Sequence, residues 1–305
     1  MVNELTDEKK NHKIGMLCAL GSMVLWGFAP IYWRMLIPID SHVIILYRIV
    51  LAGIICGILA LKIYGIEGLK APIKNKGVAA QLFVAGILIT INWSTYVYAV
   101  NSGQTIEAGI GYYINPLVVC VFGVIFFKER LTKYKTIAVI FALTGVIIML
   151  IHFMRLPVIP LTLAISFAIY AAVKKRLKVN SIISLFYETV ILAVISLVLI
   201  VYFETTGQGA LYQGETSQFV LLLFSGIVTA VPLMLFTMAA NRISLISLGI
   251  FQYIAPSITL LIGIFVFREA FDFIQLIACI VIWTGLVFFT YGEVSGASKK
   301  YNPCP

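Results

Sequence analysis

The stretch GIGYYINP at residues 109–116 returns as GIFQYIAP at residues 249–256, with five of the eight positions identical. The same spacing of 140 residues relates further pairs on both sides of this stretch. Those pairs are Tyr47 and Tyr187, Asn101 and Asn241, Gly123 and Gly263, Phe127 and Phe267, Glu129 and Glu269, Thr144 and Thr284, and Gly145 and Gly285. Constant spacing with matching glycine, proline and glutamate is not expected from chance likeness between apolar segments. The chain therefore contains an internal repeat.

The composition surrounding this repeat is that of a membrane protein. Of 305 residues, 61% are hydrophobic and 11% are charged, and the mean hydropathy is +1.02. A soluble domain is about half apolar and about a quarter charged, so no water-soluble core would bury this much apolar surface. Apolar runs of spanning length are each predicted to be helical, because lipid offers no partner for free backbone groups. They lie at 14–33, 42–62, 77–99, 105–127, 134–153, 157–173, 182–203, 218–239, 244–267 and 273–292.

These runs divide into five helices for each copy of the repeat. Because five is odd, the second copy must enter the membrane from the opposite side. The predicted fold is an all-α polytopic membrane protein, with ten transmembrane helices as two inverted five-helix repeats. We expect a cytoplasmic tail at residues 1–13, one repeat at 14–153, the other at 156–292, and a cytoplasmic tail at 293–305. Inverted repeats are typical of secondary carriers.

The basic residues support one orientation of this bundle. With the N-terminus inside, eighteen lysines and arginines fall on cytoplasmic segments, including Lys174 to Arg176, and only three fall outside. Cytoplasmic loops carry an excess of lysine and arginine. The net charge of +9 is therefore interpreted through membrane orientation rather than through nucleic-acid binding, and both termini are predicted to be cytoplasmic.

The end of each repeat carries a further pattern, Pro-(x)n-Glu-(x)n-Gly, at residues 116–145 and 256–285. With it, the chain resembles the drug/metabolite transporter superfamily with EamA-type repeats. The motifs GYYINPL at 111–117, Asn-Trp at 92–93 and FQYIAP at 251–256 resemble the RarD subgroup. The resemblance implies a ten-helix carrier of the bacterial inner membrane. A link of the RarD name with chloramphenicol sensitivity establishes neither substrate nor direction of transport.

Aromatic and amide side chains inside the predicted spans are the candidates for binding a solute. Polar residues in a span are costly and need a partner or a water-filled cavity. Aromatic walls with a few amides would suit a flat, weakly polar or zwitterionic solute. The candidates are Trp26, Asn92, Trp93, Tyr96, Tyr112, Tyr113, Asn115, Tyr170, Gln252 and Tyr253. The alternative is an aromatic belt at the headgroups, which we favour for Trp33 and others near span ends.

Four prolines lie well inside spans, at repeat-related positions 116 and 256 and in spans one and eight. Proline removes a backbone donor and kinks a helix. The kinks are hinges for alternating access or static features that shape the bundle; the sequence supports both. The four residues are Pro30, Pro116, Pro232 and Pro256.

Two charges lie within the spans at matching repeat positions, Arg48 and Glu188. In a functional interpretation, Arg48 meets a substrate carboxylate or Glu188 exchanges a proton. In the structural one, which we favour, they pair with each other or extend to the nearest interface. Glu129 and Glu269 follow spans four and nine, and we expect them to cap or pair locally.

The function predicted from these features is a permease that moves a metabolite, amino acid or drug by alternating access, as an exporter. A channel or a non-transporting scaffold is the alternative. A membrane enzyme is disfavoured because no catalytic group, metal cluster or P-loop is recognisable in the sequence, and no cofactor is expected. The predicted partners are lipid and a small-molecule substrate, with proton coupling open and no nucleic acid. Gly53 and Gly57 allow either a monomer or a homodimer.

Overall fold

The computed structural model describes residues 2–101, 105–153, 158–268 and 273–301, and within them the regular structure is helical, with no strand. The helices are α1 (Val2–Arg34), α2 (Ser41–Lys74), α3 (Lys76–Asn101), α4 (Thr105–Phe127), α5 (Lys133–Phe153), α6 (Val158–Arg176), α7 (Ser181–Thr205), α8 (Ala210–Gln213), α9 (Thr216–Leu223), α10 (Ser225–Ala240), α11 (Leu245–Phe251), α12 (Ile254–Phe265) and α13 (Phe273–Tyr301).

Seven of the described segments are long and apolar enough to cross a membrane, and α7 makes an eighth if its two halves form one span. Shorter apolar helices lie at Gly111–Phe127 and Leu276–Gly292. The prediction of an all-helical, multi-pass membrane protein is confirmed. The count of ten spans remains a prediction, because the apolar segments at Gly111–Phe127 and Leu276–Gly292 are shorter than a spanning helix.

Helix ends explain where predicted spans are interrupted. The ninth predicted span is split into α11 and α12 at Gln252 and Tyr253. Pro256 follows this break and has no N–H to donate to the carbonyl of Gln252, so the helix is weakened at this turn. Pro30, Pro116 and Pro232 instead lie inside continuous helices. The segment at 63–76, between the second and third predicted spans, is also largely helical. Helix α2 is kinked at Gly65, whose φ of 64° is not helical, and the helix resumes after it.

The helices of the two repeats pack in reciprocal pairs. Helix α1 packs on α10 and α12, and α6, the first helix of the other repeat, packs on α3 and α4. Helix α2 packs on α7, and α5 on α13, so equivalent helices also meet each other. Two halves related by a two-fold axis would give this arrangement.

Glycines allow two of these contacts to be close. At the crossing of α5 and α13, a methyl group added to Gly145 would lie 2.8 Å from the Ala278 carbonyl oxygen. One added to the repeat-related Gly285 would lie 3.0 Å from the Ala138 carbonyl oxygen. Gly53 likewise faces Thr189 of α7. Gly57 faces Phe186 of the same helix, α7. The two glycines of α2 that the sequence singled out therefore pack within the chain.

Candidate functional site

The Arg48 guanidinium lies between two indole rings. Its central carbon is 5.0 Å from the ring centroid of Trp33 on α1 and 4.9 Å from that of Trp93 on α3. Both distances are within the range of a cation–π contact. The buried Nε of Arg48 has no hydrogen-bond partner. Arg48 is thus not paired with Glu188, one of the two positions that we favoured from the sequence, and its side chain lies between aromatic rings.

Two tyrosines of α3 and α4 lie near this cation. Tyr96 on α3 and Tyr112 on α4 meet edge to face, with ring centroids 5.9 Å apart. Both lie within electrostatic range of Arg48. The Tyr112 side chain is 41% exposed. We refer to Trp33, Arg48, Trp93, Tyr96 and Tyr112 as the Arg48 cage.

The cage is attached to the buried core through α1 and α3. Trp26 and Trp93 both pack against a cluster formed by Ala52, Cys56, Leu185, Ala230 and Leu233. The Trp26 ring also lies 5.8 Å from that of Phe236. Trp26 therefore lies beside the cage and supports it, together with helices of the second repeat. Trp33, for which the sequence favoured the headgroup belt, contacts Arg48 and was not among the predicted binding residues.

A buried pair of amides links α4 to the break between α11 and α12. The Asn115 side-chain nitrogen donates to the Gln252 side-chain oxygen. The remaining Asn115 oxygen and Gln252 nitrogen have no partner. One acceptor and one donor are thus left unsatisfied inside the bundle, where an unpaired polar group costs about 1–3 kcal/mol.

The remaining predicted binding residues are engaged in packing. The Asn92 amide nitrogen donates to the Leu163 carbonyl oxygen and to Ser166, which connects α3 to α6. Tyr113 is buried against α13, where its hydroxyl lies 3.5 Å from the sulfur of Cys279. Tyr253 is buried in the same cluster, although its hydroxyl has no partner.

Lys174 and Glu188 correct two sequence predictions. Lys174 does not lie in a cytoplasmic connection: its side chain is fully buried, with Nζ 2.5 Å from the Glu188 carboxylate. The same carboxylate accepts from the hydroxyls of Tyr170 and Ser184. The suggested pairing of Arg48 with Glu188 is therefore wrong. The physical reason is that Lys174, in the last turn of α6, donates to Ser184 and Glu188 of α7, so a lysine beyond the apolar run faces these side chains rather than water.

Glu129 caps a helix, as expected, but the helix is α11, which is distant in the chain, rather than a local segment. Its carboxylate accepts from the backbone N–H groups of Leu245 and Ile246, at 2.8 and 3.0 Å, and lies 3.2 Å from Lys175. A carboxylate at a helix N-terminus satisfies free donors and the helix dipole. The repeat-related Glu269 lies outside the described residues. Within the described part of the chain, no three His, Cys, Asp or Glu side chains come close enough to hold a metal ion.

Comparison with known proteins gives concordant results. Residues 13–151 and 158–291 each match the EamA-like transporter family. The uncharacterized transporter YojE of Bacillus subtilis is 38% identical, over 95% of this chain and 98% of that protein. Protein RarD of Escherichia coli is 33% identical over 94% of this chain and 97% of that protein. A protein of known crystal structure has the same fold, with a TM-score of 0.70 at 17% identity, over 91% of this chain and 97% of the other.

Proposed function

Because this chain belongs to the EamA-like transporter family and is a relative of RarD, we propose that it is a secondary carrier that moves a small organic solute across the bacterial inner membrane by alternating access. It is a membrane transporter and not an enzyme. We further propose that the protein has ten spans in two inverted repeats, that both termini are cytoplasmic and that the solute moves outward. Exchange, facilitated diffusion and proton coupling are all compatible with this architecture.

The observation that carries the proposal is the set of unsatisfied polar groups at the Arg48 cage and the amide pair. Polar groups without partners are expensive inside a membrane protein and mark solute pathways. Here the Nε of Arg48, the oxygen of Asn115 and the nitrogen of Gln252 lack partners, and all are buried. A solute with complementary groups would satisfy them on binding.

The reciprocal helix packing supports alternating access. The guanidinium carbon of Arg34, at the end of α1, lies 4.1 Å from the ring centroid of Phe267, two residues after the second repeat's α12. In the other repeat, Lys175 and Arg176 of α6 lie 5.5 and 5.4 Å from the ring of the repeat-related Phe127, at the end of α4. Equivalent contacts therefore join the repeats at two places. A carrier that opens first one end and then the other would break them in turn.

The first test is a search for ligands followed by a flux measurement. Purified protein is screened by thermal shift against amino acids, other metabolites and aromatic antibiotics, since a ligand of the folded state raises its melting temperature. Each hit is then tested for counterflow in liposomes. We expect saturable flux that accelerates when unlabelled solute is present on the far side. A pore would show no such acceleration.

Variants of the site distinguish solute binding from general damage. We expect Trp93→Ala and Gln252→Ala to abolish flux while the protein still inserts and folds, because each removes a wall or a donor from the site. The matched control is Tyr212→Ala, whose side chain is 69% exposed on the short helix α8. Full flux in both site variants would refute the assignment of the site.

A further inference from the structure

We propose that Arg48 is the anion-binding group of this protein and that its substrates are organic carboxylates, anionic or zwitterionic, with a flat apolar body. This inference rests on the proposed function, because it assigns a substrate class to the site of the carrier. It goes beyond family membership, which names no solute.

The aromatic contacts of the cage leave one in-plane donor of the guanidinium, the Nε–H, without an acceptor. A guanidinium is planar, with five N–H donors in its plane. The indoles of Trp33 and Trp93 both lie about 5 Å from its central carbon, where they interact with its charge but accept none of its in-plane N–H bonds. The buried Nε–H has no acceptor. An acceptor with two oxygens in one plane, such as a carboxylate, matches this fork.

Arg48, whose Nε–H lacks an acceptor, differs from the lysines Lys174 and Lys175, which have carboxylate partners. Lys174 is fully buried, but Glu188 neutralises it and Ser184 accepts a further bond from it, at 2.7 Å. Lys175 is paired with Glu129 at 3.2 Å. No carboxylate within the described part of the chain pairs with Arg48. An uncompensated charge inside a membrane protein is costly, so a bound anion would relieve a cost that the chain itself leaves in place.

The surroundings of Arg48 define the rest of the ligand. Tyr96 and Tyr112 lie near the cation and meet each other edge to face, and Tyr112 is 41% exposed. Asn115 lies three residues after Tyr112 on α4, so both side chains lie on the same helix face. Asn115 and Gln252 then offer one acceptor and one donor farther along this face. A carboxylate at Arg48, a flat body against the tyrosines and a polar group at the amides would satisfy all three.

The experiment compares probes that share a phenyl group and differ in the charge at the other end. The probes are 3-phenylpropionate, its neutral amide 3-phenylpropionamide, the cation 2-phenylethylamine and zwitterionic phenylalanine. Binding to the purified full-length protein is measured for the wild type, Arg48→Lys, Arg48→Gln and the control Arg242→Gln. Arg242 is also an arginine, but its Nε–H donates to Asn11 and its Nη1 to the Met238 carbonyl, away from the cage.

We expect the wild type and the Arg242→Gln control to bind the carboxylate probes about ten-fold or more tightly than the amide or the cation, the effect of one charge-assisted hydrogen bond. Arg48→Gln should remove this preference, and Arg48→Lys should keep part of it. Without ligand, Arg48→Gln should melt at or above the wild-type temperature, because it removes an unpaired buried charge. A merely structural arginine would give a lower melting temperature.

Other outcomes separate this inference from the proposed function. A carboxylate preference that persists in Arg48→Gln, or wild-type binding of only the amide or the cation, would overturn the inference and leave a carrier of other solutes. A lower melting temperature of Arg48→Gln, with loss of binding of every probe, would also overturn it. Arg48-dependent binding of carboxylates without flux in liposomes would support the anion site and refute the carrier.

Discussion

At the scale of single residues, two interior cations of similar hydropathy have opposite environments. Lys174 donates to Ser184 and to Glu188, whose carboxylate also accepts from Tyr170. Arg48 has aromatic neighbours and no ion-pair partner within the described residues. A satisfied buried pair stabilises one packing arrangement, whereas an unsatisfied cation is available to a ligand. The two residues therefore predict different responses to substitution.

Breaking the buried pair should destabilise the protein strongly. Glu188→Ala leaves the ammonium of Lys174 buried without a counter-charge, which costs about 3–5 kcal/mol. The double variant Lys174→Met, Glu188→Leu removes both charges and should recover most of the loss. Thermal unfolding of the purified protein measures both effects. The control is Glu67→Ala, whose pair with Lys74 is exposed and is worth at most about 1 kcal/mol.

A loss in the double variant equal to the sum of the losses in Lys174→Met and Glu188→Leu, each measured alone, would contradict this prediction. Such additivity is typical of residues that do not interact. It would mean that the two side chains stabilise the bundle through separate contacts.

At the scale of helices, the ends of α4 and α12 follow the same design. Lys128, directly after α4, and Arg268, three residues after α12, both adopt positive φ, 51° and 55°, a conformation that is uncommon outside glycine. After Lys128, the turn places the Glu129 carboxylate on the first N–H groups of α11. The Pro-(x)n-Glu-(x)n-Gly pattern in the sequence thus corresponds to a contact between the end of one helix and the start of another.

Removing this cap should loosen α11 selectively. Glu129→Ala deletes two charge-assisted acceptors and the partner of Lys175, and we expect a loss of about 1–3 kcal/mol. Amide hydrogen exchange should become faster at Leu245 and Ile246, which donate to the carboxylate. Glu129→Gln, which retains one acceptor oxygen, should lie between Ala and the wild type. Unchanged exchange at these two amides in Glu129→Ala would show that the cap does not stabilise α11.

At the scale of the whole molecule, the packing of the repeats and the distribution of basic residues give independent information about the helix bundle. The reciprocal contacts of α1 and α6 with helices of the other repeat relate the halves to each other. The basic residues indicate which end of the bundle faces the cytoplasm. Assigning Lys174 to the interior removes one positive charge from the cytoplasmic side and leaves the asymmetry of eighteen to three, as counted from the sequence, nearly intact.

This asymmetry predicts the orientation in the cell. A fluorescent protein fused to the C-terminus should be fluorescent, because that end is predicted to be cytoplasmic. Alkaline phosphatase, which is active only outside the cytoplasm, should be active when fused after Tyr212 and inactive when fused after Lys178. The opposite pattern at both phosphatase sites would reverse the orientation, and activity at both would contradict the count of spans between them.

The sequence by itself determined the helical class, most of the membrane segments, the internal repeat and the family. These depend on apolar length and on the need to satisfy backbone groups in lipid, which are local properties of the chain. Only the tertiary structure decided which charges meet: Lys174 with Glu188, Glu129 with the start of α11, and Arg48 with two tryptophans. Such partners depend on how each helix is rotated and how deeply it is placed against its neighbours. Side chains from distant parts of the chain set those quantities, and hydropathy along one helix does not encode them.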